Sequence, residues 1–590
     1  MILQSLHALH DRLSAAPEYR LPTPGFSLQK ITFKVVLHPD GRLFGIEDAR
    51  VINDGTPRPQ QCLVPGGTKP SGSGLNPCFL WDNAAYMLGF AHDEGKRQRA
   101  RDAFDAFRTR HVSLRSEVAC PAFNAVCAFL TTWDPSKAES YPALIEAAQT
   151  GFGVFQLVGE TSWVHEDPKI VAWWLAHSAA ESGSTSLGQC LITGNEAPLA
   201  RLHDKVKGLV GGQGAGSSLV GFNEEAFESY GKVQSFNAPV SEVAATRYMA
   251  ALNAMLDGPK RDKHRMTLGD MTVVFWTDGP SATEDIFARF AQMGSAYRDT
   301  TDPQDEGVRA RLEAFLRALR VGREAYGELE ADPDHTRFYL LGLSPNAGRV
   351  AVRLFHSDSL GVLLENLRCH HRDIALERRP STGERRSEPE FPPLWLLLAQ
   401  TARTKEDIPP LLAGPLLRAM LSGAPYPEAL YSAVVRRIRA DRQIDYLRSC
   451  VLKGYLNRNL HMEVSMSLDT ERPEPAYRLG RLFAALEKTQ KDALGEGLGK
   501  TIRDTYYGAA SATPRTVFPR LLRVYQHHLG KLEGGRRVNR ERLVQEILAP
   551  LDVLPAHLGL AEQGLFALGY YHQTMAFYSR RSEGAVDTTT

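Results

Sequence analysis

The sequence predicts an α+β protein in which a mixed N-terminal α/β region with antiparallel strands is followed by a C-terminal all-α helical bundle. Three observations carry this expectation. Short apolar runs of strand composition, Ile31 to Leu37, Met271 to Trp276, Phe338 to Leu343 and Val350 to Phe355, all fall before residue 360. Apolar residues at helical spacing dominate the C-terminal third: Leu430, Val434 and Ile438 share one face, and Leu479, Leu482, Phe483 and Leu486 form an i, i+3, i+4, i+7 set. Between these regions, residues 377–393 are charged, Pro-rich and almost without apolar side chains, as an exposed linker would be. The expected organisation is therefore a domain over 1–376, a linker over 377–393 and a bundle over 394–590. A chain of 590 residues exceeds the roughly 250 to 300 that one hydrophobic core organises, so more than one domain is expected.

Taken in order, Leu3, Leu6, Leu9 and Leu13 describe an amphipathic helix rather than a signal peptide. The first strand runs into Pro39-Asp40-Gly41, whose turn chemistry predicts a hairpin with the next extended segment. A Gly/Ser/Pro-rich stretch from Pro65 to Pro77 precedes a helix over about Ala84 to Phe107, with Phe104 and Phe107 on its packed face. A further helix is expected around Ile286 to Met293, and the later strands pair across the turn Ser344 to Gly348. Helices do not alternate with strands regularly enough for a doubly wound parallel sheet. No short internal repeat is visible, which argues against a solenoid.

With 43% hydrophobic and 23% charged residues the chain is too apolar for general disorder. Its net charge of +1 means that any affinity for nucleic acid must come from local clusters of Lys and Arg. Seven cysteines without a Cys-x-x-Cys pair suit neither a disulfide framework nor a zinc site, and reduced thiols are expected. No apolar run approaches the roughly 18 residues of a membrane span. A soluble cytoplasmic protein without a cofactor is the expectation.

Several signals for chemistry have a plainer reading beside them. Gly499-Lys500-Thr501 ends like a phosphate-binding loop, but Leu494 stands where the motif requires glycine and the preceding segment is helical. His92-Asp93, His203-Asp204 and His370-His371-Arg372-Asp373 have the residue types of metal-dependent phosphohydrolases, yet no constellation of further ligands accompanies them, and surface or capping pairs explain them as well. We assign no catalytic residue and no metal ligand.

Three segments suit nucleic acid better. In Lys69 to Asn83, Lys69, Ser71 and Ser73 are candidates for phosphate contact and Asn76 and Asn83 for base edges, with Phe79 either a wedge or a core anchor. In the Gly-rich stretch from Lys205 to Ser218, the main chain together with Lys205, Lys207, Gln213, Ser217 and Ser218 offers phosphate contacts; a flexible loop is the alternative. In the helical region, residues 500–545 carry ten Lys and Arg against three Asp and Glu, including Arg515, Arg520, Arg523, Arg536 and Arg537. Residues 427–460 carry seven against three, with Arg436, Arg437 and Arg439 closely spaced. Such runs usually mark solvated helix faces, but Tyr506, Tyr507, Tyr525, His527 and His528 add rings on which bases stack.

The same segments carry a resemblance. Asn76-Pro77-Cys78-Phe79-Leu80-Trp81-Asp82-Asn83-Ala84-Ala85-Tyr86, Ala197 to His203, Phe227-Glu228-Ser229-Tyr230-Gly231-Lys232, Asn237 to Ser241, Leu343 to Asn346 and Leu565 to Gln573 resemble, in order, the large subunit of the type I-C CRISPR surveillance complex (Cascade), the Dvulg-subtype CRISPR-associated protein family. The resemblance implies a non-enzymatic antiviral-defense subunit that joins a CRISPR RNA with backbone, RNA-processing and small subunits. It further implies recognition of the protospacer-adjacent motif of double-stranded DNA, help in forming the R-loop with its displaced strand, and recruitment of a helicase-nuclease, while guide pairing supplies most sequence specificity. It also implies that an internal start at Met462 or Met466 yields a separate small-subunit-like product, residues 466–590 for the latter. Two rival functions remain beside it: a metal-dependent nuclease, and a free-standing single-stranded nucleic-acid-binding protein.

Overall fold

Strand β1 (Phe26–Leu37) is buried along most of its length, the polar Ser27, Gln29 and Thr32 included, with Lys30 its one exposed residue, because partners flank it on both edges. The computed structural model that contains it describes residues 1–590 apart from 20, 23–24, 54–55, 68, 70–73, 142–143, 145–150, 182–185, 215, 269, 280–316, 318–331, 333, 380–387, 405, 496–498 and 587–590. Ser71, Ser73, the helix expected at Ile286 to Met293 and the middle of the expected linker lie outside the described residues. The chain divides into two compact units: Met1–Gly208, Gln213–Lys260 and Ala347–Arg349 form the first, and Leu209–Gly212, Arg261–Asn346 and Val350–Thr590 the second. The fold is α+β, with antiparallel pairing in both units and a helical C-terminal region.

In the first unit, β2 (Leu43–Asp48) and β3 (Gln60–Pro65) pair antiparallel with successive halves of β1, from Phe26↔Pro65 to Ile31↔Gln60 and from Phe33↔Asp48 to Val36↔Gly45. The expected hairpin forms, with Gly41 at φ +88° in its turn. The other edge of β1 takes β5 (Phe152–Leu157) in parallel, Val35 opposite Phe155, and β4 (Trp81–Asp82) closes that side antiparallel to β5. Phe33, Val35 and Leu37 enter a core with Phe104 and Phe107 of α3 (Arg97–Ser113) and Phe123 and Phe129 of α4 (Pro121–Thr132). The N-terminal helix α1 (Ile2–Ser14) buries Leu6, Leu9 and Leu13 and packs on α6 (Glu242–Asp257), after α2 (Ala84–Leu88) and α5 (Pro168–Glu181) have joined the sheet's core.

In the second unit, β6 (Arg265–Leu268), β7 (Met271–Thr277), β8 (Arg337–Asn346) and β9 (Arg349–Ser359) form a sheet in that order. Val273, Phe275, Phe338 and Leu340 share one continuous core with Leu363 and Leu367 of α7 (Leu360–Ile374) and Leu416 and Met420 of α8 (Ala413–Ser422). The division between units accordingly falls at Lys260/Arg261 and not within 377–393. Composition marks the charge and proline of this stretch, whereas the unit to which a strand belongs is set by the core its apolar face enters. The described ends of the 377–393 stretch are held: Glu377 donates its amide to the Met466 carbonyl at 3.0 Å, and Phe391 is buried.

The bundle continues through α9 (Glu428–Asp441), α10 (Tyr446–Leu460), α11 (Pro475–Leu494), α12 (Ile502–Ala510), α13 (Pro514–Leu529), α14 (Gly534–Leu548) and α15 (Leu560–Val586). Both apolar stripes expected from the sequence, Leu430/Val434/Ile438 and Leu479/Leu482/Phe483/Leu486, are buried. No helix among the described residues is long and apolar enough to cross a membrane, and none of the seven cysteines is in a disulfide.

Candidate nucleic-acid interface

Burial separates the candidate residues into anchors and surface. Phe79 is 1% exposed, stacked against Trp174 at 5.0 Å and His111 at 5.7 Å, so it is a core anchor and not a wedge. Trp81 is likewise buried and donates its indole N–H to the Pro65 carbonyl at 2.6 Å. Asn83 caps α2, its Oδ1 accepting from the amides of Ala85 and Tyr86 at 3.1 and 3.3 Å, a structural use of the side chain expected at a base edge.

Lys69 faces inward. Its ammonium donates to Asp82 Oδ2 at 2.5 Å and to the Asn76 carbonyl at 2.6 Å and lies 3.4 Å from the centre of the Tyr86 ring. Burial pushes the Asp82 carboxyl up, against the pull of Lys69. Asp82 Oδ2 also accepts from the Cys78 amide at 2.9 Å, and the Asn76 amide donates to the Tyr86 hydroxyl at 3.1 Å. These contacts fix both feet of the loop around Asp82. A phosphate contact by Lys69 is at odds with this geometry, because the ammonium is already matched by a buried carboxylate. Asn76 is exposed and remains the side chain of this segment best placed to meet a ligand.

The Gly-rich stretch is anchored at its two ends. Val206 and Ser217 exchange both backbone hydrogen bonds at 2.9 Å, and Asn253 of α6 grips the incoming strand, accepting from the Lys207 amide at 2.8 Å and donating to the Lys205 carbonyl at 3.0 Å. Ser217 is 1% exposed and is therefore a closing residue of this bridge rather than a phosphate contact. The amide of Ser218 donates to the Gly348 carbonyl at 2.9 Å. Lys205, Lys207 and Ser218 are half-buried, and Gln213 is exposed. Burial, reinforced by the like charge of Lys30, holds the Lys207 ammonium below its usual range against the counter-effect of Asp204 and Asp257.

The bundle presents cations outward. On α13, Pro514, Val517, Phe518, Leu521, Tyr525 and Leu529 face the core, while Arg515, Arg520 and Arg523 stand on the solvent side of a helix that contains no acidic residue. Arg536 and Arg537 are exposed in the first turn of α14, and Arg436 and Arg439 near the end of α9. Among the described residues none of these seven has a carboxylate partner. Arg437 differs: it is paired with Asp441 at 2.6 Å. Arg439 lies near Tyr507 and Ser511, which places the end of α9 beside the turn between α12 and α13. Arg540 and Arg542 are also paired, with Asp492 at 2.8 Å and Glu546 at 3.1 Å.

The expected stacking rings are mostly internal. Tyr507 and Tyr525 are buried, and Tyr506 is half-buried with the Arg520 guanidinium 5.5 Å from its ring centre; His527 is exposed. The phosphate-loop look-alike resolves as a helix cap: Thr501 starts α12 in a capping box with Asp504, and its hydroxyl donates to Glu487 at 2.9 Å. The His-Asp pairs serve the fold too, His203 meeting the Tyr248 hydroxyl at 2.5 Å, His370 that of Tyr426 at 2.6 Å, and Asp373 pairing with Arg458 at 2.8 Å. Among the described residues no three His, Cys, Asp or Glu side chains converge as metal ligands.

Fold and surface together define an α+β protein whose helical bundle displays unpaired positive charge. Residues 6–578 match the family described as CRISPR-associated protein (Cas_Csd1), and the chain belongs to that family. No curated protein matches it.

Proposed function

We propose that this chain is the large subunit of a type I-C CRISPR surveillance complex, recognising the protospacer-adjacent motif of invading duplex DNA, assisting RNA-guided strand opening and recruiting the helicase-nuclease, with no catalysis of its own. The observation that carries this reading is the set of seven exposed arginines on α9, α13 and α14 that have no carboxylate partner among the described residues, in a chain whose net charge is only +1. Unpaired guanidiniums on rigid helices suit phosphates, and their concentration makes a near-neutral protein locally cationic. Membership of a CRISPR-associated family supplies the context in which such a surface meets guide RNA and target strands. In the first unit Asn76, held at its backbone by Lys69 and Tyr86, is our candidate for a base edge of the flanking motif. A product beginning at Met466 would contain α11 to α15 and thus most of the exposed arginines, which fits a separately made small subunit.

The test is assembly of the guide complex from its subunits with and without this chain, followed by binding to duplexes that bear or lack the flanking motif. The reading requires co-purification with guide RNA and loss of motif preference when the chain is omitted. Motif preference that survives omission removes it. DNA cleavage by the purified chain with divalent metal, abolished by substituting a His-Asp pair, would establish the nuclease alternative instead.

A further inference from the structure

Among the described large hydrophobic side chains Tyr230 is the most exposed, at 99%, and it sits where its backbone is least comfortable. Tyr230 has φ +54° and Gly231 φ +67°, the two consecutive positive values of a type I′ turn. Glycine, asparagine and aspartate adopt this conformation readily; a bulky aromatic residue does so against its preference. The turn is closed by the Lys232 amide donating to the Ser229 carbonyl at 3.0 Å.

The surrounding contacts over-determine that geometry. Asn237 accepts from the Ser229 amide at 2.8 Å and donates to the carbonyls of Lys232 and Gln234 at 2.8 and 2.9 Å, so one side chain ties both legs of the turn. Gln234 in turn donates its amide to Glu228 Oε1 at 2.8 Å and accepts from Arg201 Nη1 at 3.0 Å. A rigid turn thus holds an aromatic ring wholly in solvent, forgoing the burial that normally rewards tyrosine. Nothing in the packing of the first unit explains that choice of residue.

We infer that Tyr230 is a base-stacking finger that takes an unpaired nucleobase of single-stranded DNA, with Lys232 beside it to meet the adjoining phosphate. Stacking needs an open ring face carried on a fixed stretch of backbone, whereas a protein contact of comparable strength would centre the ring in a broad apolar patch. The residues adjoining the ring in the turn, Ser229, Gly231 and Lys232, are exposed and carry no apolar side chain, and the exposed Phe227 and Val233 flank the turn on its two legs without forming a broad patch. Of the carboxylates on the same segment, Glu228 is engaged with the Gln234 amide and Glu224 lies 3.5 Å from the Asn223 side chain; Glu225 precedes the turn on a short helical stretch.

The inference rests on the proposed DNA-handling role and is tested on the full chain. Binding of a fluorescent single-stranded DNA oligonucleotide is measured for the wild type, Tyr230→Phe and Tyr230→Asn, and the oligonucleotide carrying 5-bromouracil is irradiated with the wild type. Asparagine tolerates the left-handed backbone, so Tyr230→Asn keeps the turn and removes only the ring. Tyr230→Phe is expected to bind as the wild type does and Tyr230→Asn to bind roughly 5- to 150-fold more weakly, with photocrosslinks on the peptide that contains Tyr230. Unchanged affinity in Tyr230→Asn, or crosslinks confined to other peptides, overturns the inference. Loss of a co-purifying protein subunit from Tyr230→Asn at unchanged DNA affinity overturns it equally, by making the ring a protein contact. An Arg515→Gln, Arg520→Gln, Arg523→Gln variant that loses binding while Tyr230→Asn keeps it defeats the finger alone; a wild type that does not bind defeats the wider reading as well.

Discussion

The Tyr570 hydroxyl donates a hydrogen bond of 2.5 Å to Glu487 Oε2, joining α15 to α11 inside the bundle. The same carboxylate accepts from Thr501 at 2.9 Å and pairs with Lys491 at 2.9 Å, so the start of α12, and the α13 that comes after it, are referred to one buried charge. Burial alone would raise the Glu487 pKa, but Lys491, the Tyr570 hydrogen bond and Arg503 outweigh it and hold the carboxyl below its ordinary 4.5. A group depressed in the folded state contributes stability that is complete above its unfolded pKa and is lost as pH falls through the folded value. Glu487→Gln should therefore destabilise the bundle by about 1–3 kcal/mol at pH 7 and flatten its loss of stability below pH 4.5. Urea unfolding followed by circular dichroism across that range checks both.

Gly480 and Gly569 let α11 and α15 approach closely. A Cβ on Gly480 would collide with the Phe566 carbonyl of α15, and one on Gly569 with the Tyr477 carbonyl of α11. Because the obstacles are backbone atoms, no side-chain rearrangement relieves them. Gly480→Ala is expected to cost about 3 kcal/mol or more despite the higher helix propensity of alanine, seen as a lower Tm of the bundle.

His111 makes the first unit acid-sensitive. It is fully buried, its Nε2 accepting from the Leu80 amide at 2.9 Å and its Nδ1–H donating to the Phe107 carbonyl at 2.8 Å, so both ring nitrogens are used by the neutral form. Burial lowers its pKa from 6.5 to about 3. The unfolded chain therefore takes up a proton that the folded one refuses, and stability falls as pH drops from 6.5 toward 3, by up to about 1.4 kcal/mol per pH unit from this group. His111→Leu removes that slope while costing about 1–3 kcal/mol at pH 7, because the Leu80 amide loses its partner. Denaturant midpoints at pH 7.5, 6 and 5 distinguish the two effects.

Periodicity and turn chemistry revealed the elements whose causes are local. The stripe from Leu479 to Leu486 and the hairpin at Gly41 are written in neighbouring residues, and both form as expected. The parallel pairing of Val35 with Phe155 was not legible, because it joins strands far apart in the chain, with several helices between them, and leaves no local mark. Lys69 misled for a related reason: its partner Asp82 lies thirteen residues along, and only the folded loop reveals a spent charge. The arginines of α13 were legible as a cluster, but that they face solvent without carboxylate partners is a consequence of the packing of Val517, Phe518, Leu521 and Tyr525.

Salt dependence tests the central claim most directly, since phosphate contacts release counterions in proportion to their number. Single-stranded DNA affinity of the full chain is measured from low to moderate salt for the wild type and for the protein carrying Arg515→Gln, Arg520→Gln and Arg523→Gln. The account predicts weaker binding by the variant, a slope of log affinity against log salt reduced by about 2, and unfolding unchanged within about 0.5 kcal/mol. Equal affinities and equal slopes for the two proteins would contradict it.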